Sequence, residues 1–107
     1  MIFICVKFKT KPEWSDRWID LVADFTKATQ AEPKNLWFEW SRSVDDPNEF
    51  VLVEAFEDDG AVPHVQSDHF KQAMSDMPQA LASTPQIINT TIDDVNEWSE
   101  MGELSVN

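Results

Sequence analysis

The sequence predicts one α+β domain with the element order β-α-β-β-α-β, the ferredoxin-like arrangement in which helices cover one face of an antiparallel sheet. Two observations lead to this prediction. Four segments alternate with the period of a β-strand, and helical spacing or helix-start signals occupy the first and third intervals between them. The chain has 107 residues, which is enough for one such domain and too few for two.

The first strand and the first helix have the strongest patterns. Residues 2–9 alternate as a strand that carries apolar side chains on both faces, and Thr10–Pro12 ends it. Residues 13–31 then place apolar side chains at spacings of three and four, which predicts one continuous amphipathic helix. The apolar positions are Trp14, Trp18, Leu21, Val22, Phe25 and Ala28.

The second and third strands are predicted to form an antiparallel hairpin. Residues 36–43 and 50–56 both alternate, and residues 32–35 form a turn before the first of them. Between the two strands, Asp45–Asn48 is a strong turn signal because Asp and Asn side chains bond to their own backbone. Glu54 is the one acidic residue inside the apolar third strand.

The last part of the chain has a less regular pattern. Pro63 belongs in the first turn of a helix, since proline has no N–H to donate, and Ser67 or Asp68 can cap a second short helix. Residues 86–92 form the last strand and complete a domain of residues 1–93. Residues 94–107 are a polar, acidic tail, which is expected either to dock on a partner chain or to fray.

The charge and the cysteine count exclude several classes of function. A net charge of -12 argues against binding nucleic acid, which needs Lys and Arg, and against anionic membrane surfaces. No apolar run approaches the roughly 20 residues of a membrane span. Residues 1–6 have no basic leader, so we expect a strand there rather than a signal peptide. The single Cys5 cannot form an internal disulfide, which is consistent with a cytoplasmic location.

The two faces of the sheet predict a homodimer. Strands one and three carry apolar side chains on both faces, whereas a sheet with one solvated face alternates between apolar and polar residues. Exposing about six such side chains would cost about 1.5–3 kcal/mol each. We therefore expect the helices to cover one face and a second copy of the chain to cover the other.

Several motifs resemble the antibiotic biosynthesis monooxygenase family. They are the opening strand, Lys11–Glu13, the first helix, Ala31–Pro33, residues 43–54, Glu57–Asp58 and His64–Phe70. The resemblance covers residues 1–93 and depends on the order and spacing of these short motifs. It implies a dimeric α+β barrel, and an oxygenation of phenolic or quinol-like aromatics by O2 without flavin, haem or metal.

No cofactor is expected. Met74 stands ten residues after His64, where haem-degrading relatives place the histidine that binds iron, so the resemblance argues against haem. Only His64 and His69 offer imidazole ligands, and a transition-metal site usually needs more nitrogen or sulfur ligands. With 2 glycines the chain has no dinucleotide loop, so neither a flavin nor NAD is supported.

The candidate catalytic residues are the two histidines, which both follow the third strand. Oxygenation of a phenol begins with loss of its proton to a base that titrates near neutral pH, and an ordinary imidazole titrates at about 6.5. His64 is the first candidate, either as the base or to orient the substrate hydroxyl, and His69 is the second. Glu54 would hold the imidazole or a substrate proton. The expected pocket wall is Phe38, Trp40, Leu52, Glu54 and Phe56.

Structural roles remain open for all of these residues. Either histidine can simply make a structural hydrogen bond, His69 to the backbone at a helix start. Glu54 can be the cross-strand partner of Arg42, and the aromatic residues can be core. Three classes of function follow: a cofactor-independent oxygenase, a dimeric binder of a small hydrophobic molecule without catalysis, and a haem-handling protein.

Overall fold

The computed structural model describes residues 1–106 and has the predicted element order. The four strands are β1 (Ile2–Lys9), β2 (Asn35–Arg42), β3 (Glu49–Phe56) and β4 (Gln86–Thr91). The α-helices are α1 (Trp18–Leu21), α2 (Ala23–Gln30), α3 (Ala61–Gln66) and α4 (Asp68–Asp76). Two 3₁₀ helices, Pro12–Arg17 and Met77–Ala80, precede α1 and follow α4. The α+β, ferredoxin-like fold class is thus confirmed. The last residue of the predicted tail, Asn107, lies outside the described residues.

The sheet is antiparallel throughout, with the strand order β2-β3-β1-β4. β1 therefore lies between β3 and β4, and Ile4 pairs with Glu54 on one side and with Asn89 on the other. Directly paired residues of an antiparallel sheet point to the same face. This register places Glu54 and Asn89 on the face that carries Val6 and Leu52, which are buried.

The core lies between this face and the helices. Its centre is aromatic: the ring of Phe8 lies 5.4 Å from that of Trp18 and 5.0 Å from that of Trp40. Trp18 and Phe56 are fully buried, so each contributes the burial of a large apolar surface. The other buried apolar residues are Ile4, Val6, Val22, Phe25, Phe38, Phe50, Leu52, Ala55, Ala73, Met77 and Ala80.

The prediction of one continuous helix over residues 13–31 is wrong. The segment opens as a 3₁₀ helix, and the α-helical part is interrupted at Val22, whose φ and ψ are -97° and 6°. At this interruption the Thr26 hydroxyl donates to the carbonyl oxygen of Val22 at 2.7 Å, a bond that bends helices. The apolar stripe survives, because Trp18, Val22 and Phe25 are all buried.

The opposite face of the sheet is only partly covered. Phe3, Cys5, Val51 and Val53 share this face and remain partly exposed. Part of the tail lies over it, where the Trp98 ring is 5.2 Å from that of Trp37. No helix among residues 1–106 has the length and apolar character needed to cross a membrane.

Candidate functional site

The site begins where β3 leads into α3. Pro63 lies within α3 (Ala61–Gln66), and the next residue, His64, points towards the sheet with only 4% of its surface exposed. Ser67 ends α3 and caps α4 by accepting from the Phe70 N–H at 3.2 Å. This confirms one of the two predicted caps. The cap starts α4 with His69 in its first turn, beside His64.

The turn between α2 and β2 lies tightly against this region. A Cβ added at Gly60, next to α3, would come within 2.8 Å of the Lys34 Cβ and 3.0 Å of the Lys34 carbonyl oxygen. The Glu57 N–H also donates to that carbonyl oxygen at 3.0 Å. This close approach brings Glu32, in the same turn, to the histidines.

Replacing Gly60 with alanine is therefore expected to destabilise the protein. The added methyl group would force the turn away from α3, and overpacking of this kind costs about 1–3 kcal/mol. Thermal unfolding of Gly60→Ala measures the effect. Gly102→Ala is the matched control, since a Cβ there meets nothing within 4 Å. Equal melting temperatures for the two variants would show that the turn does not need the glycine.

His64 bonds to one acidic group and has a second one nearby. Its Nδ1 lies 2.7 Å from Oε2 of Glu32, and its Nε2 lies 3.9 Å from Oε1 of Glu54. Aromatic rings surround the imidazole, with Phe56 at 4.8 Å and Phe70 at 5.2 Å between centroids. The ring orientation is thus fixed both by packing and by the hydrogen bond to Glu32.

Glu32 was missed as a site residue by the sequence analysis. Its Oε2 lies 2.6 Å from Nε2 of His69 as well as 2.7 Å from Nδ1 of His64, so one carboxylate oxygen serves both histidines. The separation of 32 residues from His64 leaves no local pattern that reveals the contact. The available signal was its place in the motif Ala31–Pro33.

Glu54 is buried on the helix-facing side of β3, and burial raises its pKa to about 7, with the negative charge of Glu32 adding to the shift. The alternative pairing with Arg42 is wrong. Arg42 pairs across the hairpin with Phe50, and its guanidinium donates to Asp16 at 2.9 Å. Glu54 lies opposite Phe38 instead.

A cavity of 300 Å³ opens beside these groups, between the sheet and helices α3 and α4. Its polar side chains are Glu54, His64 and Asn89. The apolar lining is Ile4, Val6, Phe8, Phe25, Leu52, Val65, Phe70, Met74, Met77, Pro85 and Ile87. A larger groove, of 640 Å³, lies at the surface beside Trp40 and contains no histidine.

Of the five residues expected to form the pocket wall, two line the cavity and three do not. Leu52 and Glu54 line the 300 Å³ cavity. Phe38 and Phe56 do not, because they lie in the core, where their rings pack at 6.3 Å and 4.8 Å from that of His64. Trp40 also lies elsewhere, since its indole N–H donates to the Thr26 hydroxyl at 2.9 Å.

The same cluster contains potential metal ligands. One donor atom each from Glu32, His64 and His69 lies within 4.8 Å of the others. Two imidazoles and a carboxylate are ligands that zinc and iron accept. The expectation that the chain binds no metal was based on the two histidines alone, without Glu32. It stays a prediction.

Fold and site together define a small ferredoxin-like α+β protein with a buried histidine and acid at an apolar cavity. The model of the family described as antibiotic biosynthesis monooxygenase matches residues 1–76. The chain belongs to the antibiotic biosynthesis monooxygenase family, as the motifs predicted.

Solved structures support the same fold. One from Nitrosomonas europaea that carries this family's name has a TM-score of 0.79 at 21% identity, covering 87% of this chain and 99% of its own. One from Deinococcus radiodurans with the same name also has a TM-score of 0.79, at 18% identity, covering 94% and 100%. A protein from Mycobacterium tuberculosis matches with 0.79 at 18% identity, covering 90% and 98%. At such identities the likeness shows the fold alone. No curated protein matches the chain.

Proposed function

We propose that the chain is a cofactor-independent monooxygenase that oxidises a small phenolic or quinol-like aromatic with O2. The observation that carries the proposal is the 300 Å³ apolar cavity with an imidazole and a buried carboxyl group in its wall. Its size is at the lower end of small-molecule sites, which suits a small aromatic ring. The apolar lining suits the ring of such a substrate.

His64 is the proposed base. Its Nε2 is the ring nitrogen turned away from Glu32 and towards Glu54, which lines the cavity. In the proposed reaction the phenol gives its proton to this nitrogen, and the phenolate passes an electron to O2. A carbon–oxygen bond then forms at a ring carbon that carries hydrogen. Loss of water leaves a quinone, so that one phenol and one O2 give one quinone and one water without a further reductant.

Glu54 is the proposed partner for the substrate hydroxyl or for the imidazole. Because its pKa is raised to about 7, it can donate or accept a proton near neutral pH. His69, the second catalytic candidate, does not line the cavity. Its Nε2 bonds to Glu32, and we assign it a supporting role rather than contact with the substrate.

Oxygen consumption on a panel of phenols and quinols tests the proposal. We expect uptake with at least one small aromatic and formation of the matching quinone in equal amount. Binding of an aromatic in the cavity without oxygen uptake would favour the second candidate, a non-catalytic binder, which the apolar lining also suits. A shift of the Soret band when haem is added would favour the haem-handling class.

We further propose that the protein is a homodimer, formed through the partly covered sheet face, and that it works in the cytoplasm. The free Cys5 is consistent with a reducing compartment. On the tail, Trp98, Met101 and Leu104 are 63–72% exposed, so this segment has apolar side chains to offer a partner copy.

Light scattering after size exclusion tests the dimer. At micromolar concentration we expect a mass of twice 12.3 kDa. Val53→Asp, which puts a charge in the centre of the proposed interface, is expected to give the monomer. Val44→Asp is the matched control, since Val44 is 99% exposed in a loop. A monomeric native protein would overturn the proposed dimer and would leave the oxygenase proposal unaffected.

A further inference from the structure

The cluster contains one more ionisable group than the proposed reaction needs. The base and its partner are His64 and Glu54, yet Glu32 contacts His64 more closely than Glu54 does, at 2.7 Å against 3.9 Å. Glu32 does not line the cavity. It therefore has no contact with a substrate there, and any part it has in the reaction passes through the imidazoles.

We infer that Glu32 is the positioning residue of the site, which fixes the tautomer of His64 so that Nε2 carries no proton and faces the cavity. The tautomer stands on the geometry of the cluster alone. Its consequence for turnover rests on the proposed function.

The hydrogen-bond geometry leads to this assignment. A carboxylate oxygen only accepts, so a ring nitrogen that bonds to it must carry the hydrogen. Oε2 of Glu32 lies within bonding distance of Nδ1 of His64 and of Nε2 of His69, at 2.7 and 2.6 Å. A neutral imidazole has one N–H. When that hydrogen is on Nδ1, Nε2 of His64 has a free lone pair and is the nitrogen able to accept a proton.

The surroundings of His64 leave this nitrogen available. Oε1 of Glu54, at 3.9 Å, is too far for a direct hydrogen bond to Nε2. Aromatic side chains also surround the ring, those of Phe25, Phe38, Phe56 and Phe70. The titratable groups that face the imidazole are therefore Glu32 from the α2–β2 turn, Glu54 from β3 and His69 from α4.

Backbone hydrogen bonds on both sides of Glu32 fix its position in the α2–β2 turn. The Glu32 N–H donates to the Thr29 carbonyl oxygen at 3.0 Å, and the Glu32 carbonyl oxygen accepts from the Asn35 N–H at 3.2 Å. Among residues 1–106 its ion-pair partners are the two histidines, and the nearby Lys34 pairs with Asp59 instead. The second bond, from His69, fixes the carboxylate from the solvent side, where His69 is 26% exposed.

Nitrogen-15 NMR of histidine-labelled protein tests the assignment directly, because the tautomers of an imidazole have different nitrogen shifts. The chain has 2 histidines, so two rings appear, and His69→Gln identifies them. In the native protein, near pH 8 and without metal, we expect the Nδ1–H tautomer for His64 and the Nε2–H tautomer for His69. Glu32→Ala is expected to return His64 to a mixture dominated by Nε2–H. Glu13→Ala, which removes an exposed carboxylate in the 3₁₀ helix Pro12–Arg17, should leave both rings unchanged.

Activity gives a second readout. Glu32→Ala is expected to lower kcat about 100-fold or more, because an imidazole protonated at the wrong nitrogen cannot accept the substrate proton. KM should change little, since Glu32 does not line the cavity. Where Glu32→Ala does not fold, Glu32→Gln is the second variant. Its amide can donate to Nδ1 of His64 as well as accept from it, so we expect the Nδ1–H tautomer to lose its dominance and kcat to fall.

Three results would overturn the inference. The first is an Nε2–H tautomer of His64 in the native protein. The second is the same tautomer in Glu32→Ala as in the native protein. The third is stoichiometric binding of Zn²⁺ that shifts both rings and is lost in Glu32→Ala, which would make Glu32 a metal ligand. None of these measurements uses a substrate, so failure of the oxygenase proposal would leave the tautomer result intact.

Discussion

His64→Ala is expected to lower kcat for the oxidation of a phenol at least about 100-fold, which is the lower end of what a positioned general base contributes. The substitution removes the nitrogen that accepts the substrate proton, while the apolar lining that binds the ring is retained. KM should therefore change less than kcat. Steady-state oxygen uptake on the best substrate of the panel measures both constants.

Because His64 is buried against Glu32, its loss also leaves a carboxylate with one donor fewer. His64→Gln is the second variant, since its amide N–H can still donate to Glu32 but its side chain is not a base. Gln66→Ala, on the exposed side of the same helix, is the matched control. Added imidazole should restore part of the activity of His64→Ala by entering the space that the ring vacates. A folded His64→Gln variant with native turnover would remove His64 from the mechanism.

The second large effect is on stability. Glu54 has a pKa of about 7 in the folded protein against an ordinary value of 4.5, because burial disfavours its charged form. The folded state therefore binds the proton more tightly than the unfolded state. The stability that this proton provides is complete below pH 4.5 and is lost as the pH rises through about 7. A shift of this size is worth about 3 kcal/mol.

Glu54→Gln has nearly the same shape and does not ionise. Relative to the native protein, its free energy of unfolding is expected to rise by about 3 kcal/mol between pH 4 and pH 8, because only the native protein must bury a charge at high pH. Urea unfolding at several pH values measures the difference. Glu57→Gln, at an exposed position, corrects for the loss of one negative charge. A difference between Glu54→Gln and native protein that does not change with pH would show that Glu54 is not held in a desolvating site.

The elements of the fold could be predicted from local patterns. β1 has the predicted limits, and β3 and β4 each differ from the prediction by one residue at one end. The agreement is close because the alternation that marks a strand and the turn residues that end it are neighbours in the sequence. The first helix was predicted too simply. The apolar spacing predicts which side of the helix is buried. It does not predict the 3₁₀ helix that begins at Pro12 or the interruption at Val22.

The site was less predictable, since its contacts join distant parts of the chain. His64 was recognised by residue type and motif, whereas Glu32 reaches it only through the packing of the α2–β2 turn against Gly60. The pairing of Glu54 with Arg42, in contrast, could have been rejected from the sequence alone. In a hairpin the residue beside the turn pairs with its counterpart beside the turn, so Arg42 must meet Phe50 rather than Glu54.

Oxidation of a phenol or quinol under ¹⁸O₂ tests the central claim most directly. We expect one ¹⁸O atom in the quinone and the other in water, without added flavin, haem or metal and in the presence of a chelator. Hydrogen peroxide as the stoichiometric product, a quinone without the label, or no oxygen uptake on any small aromatic that the cavity binds would contradict it.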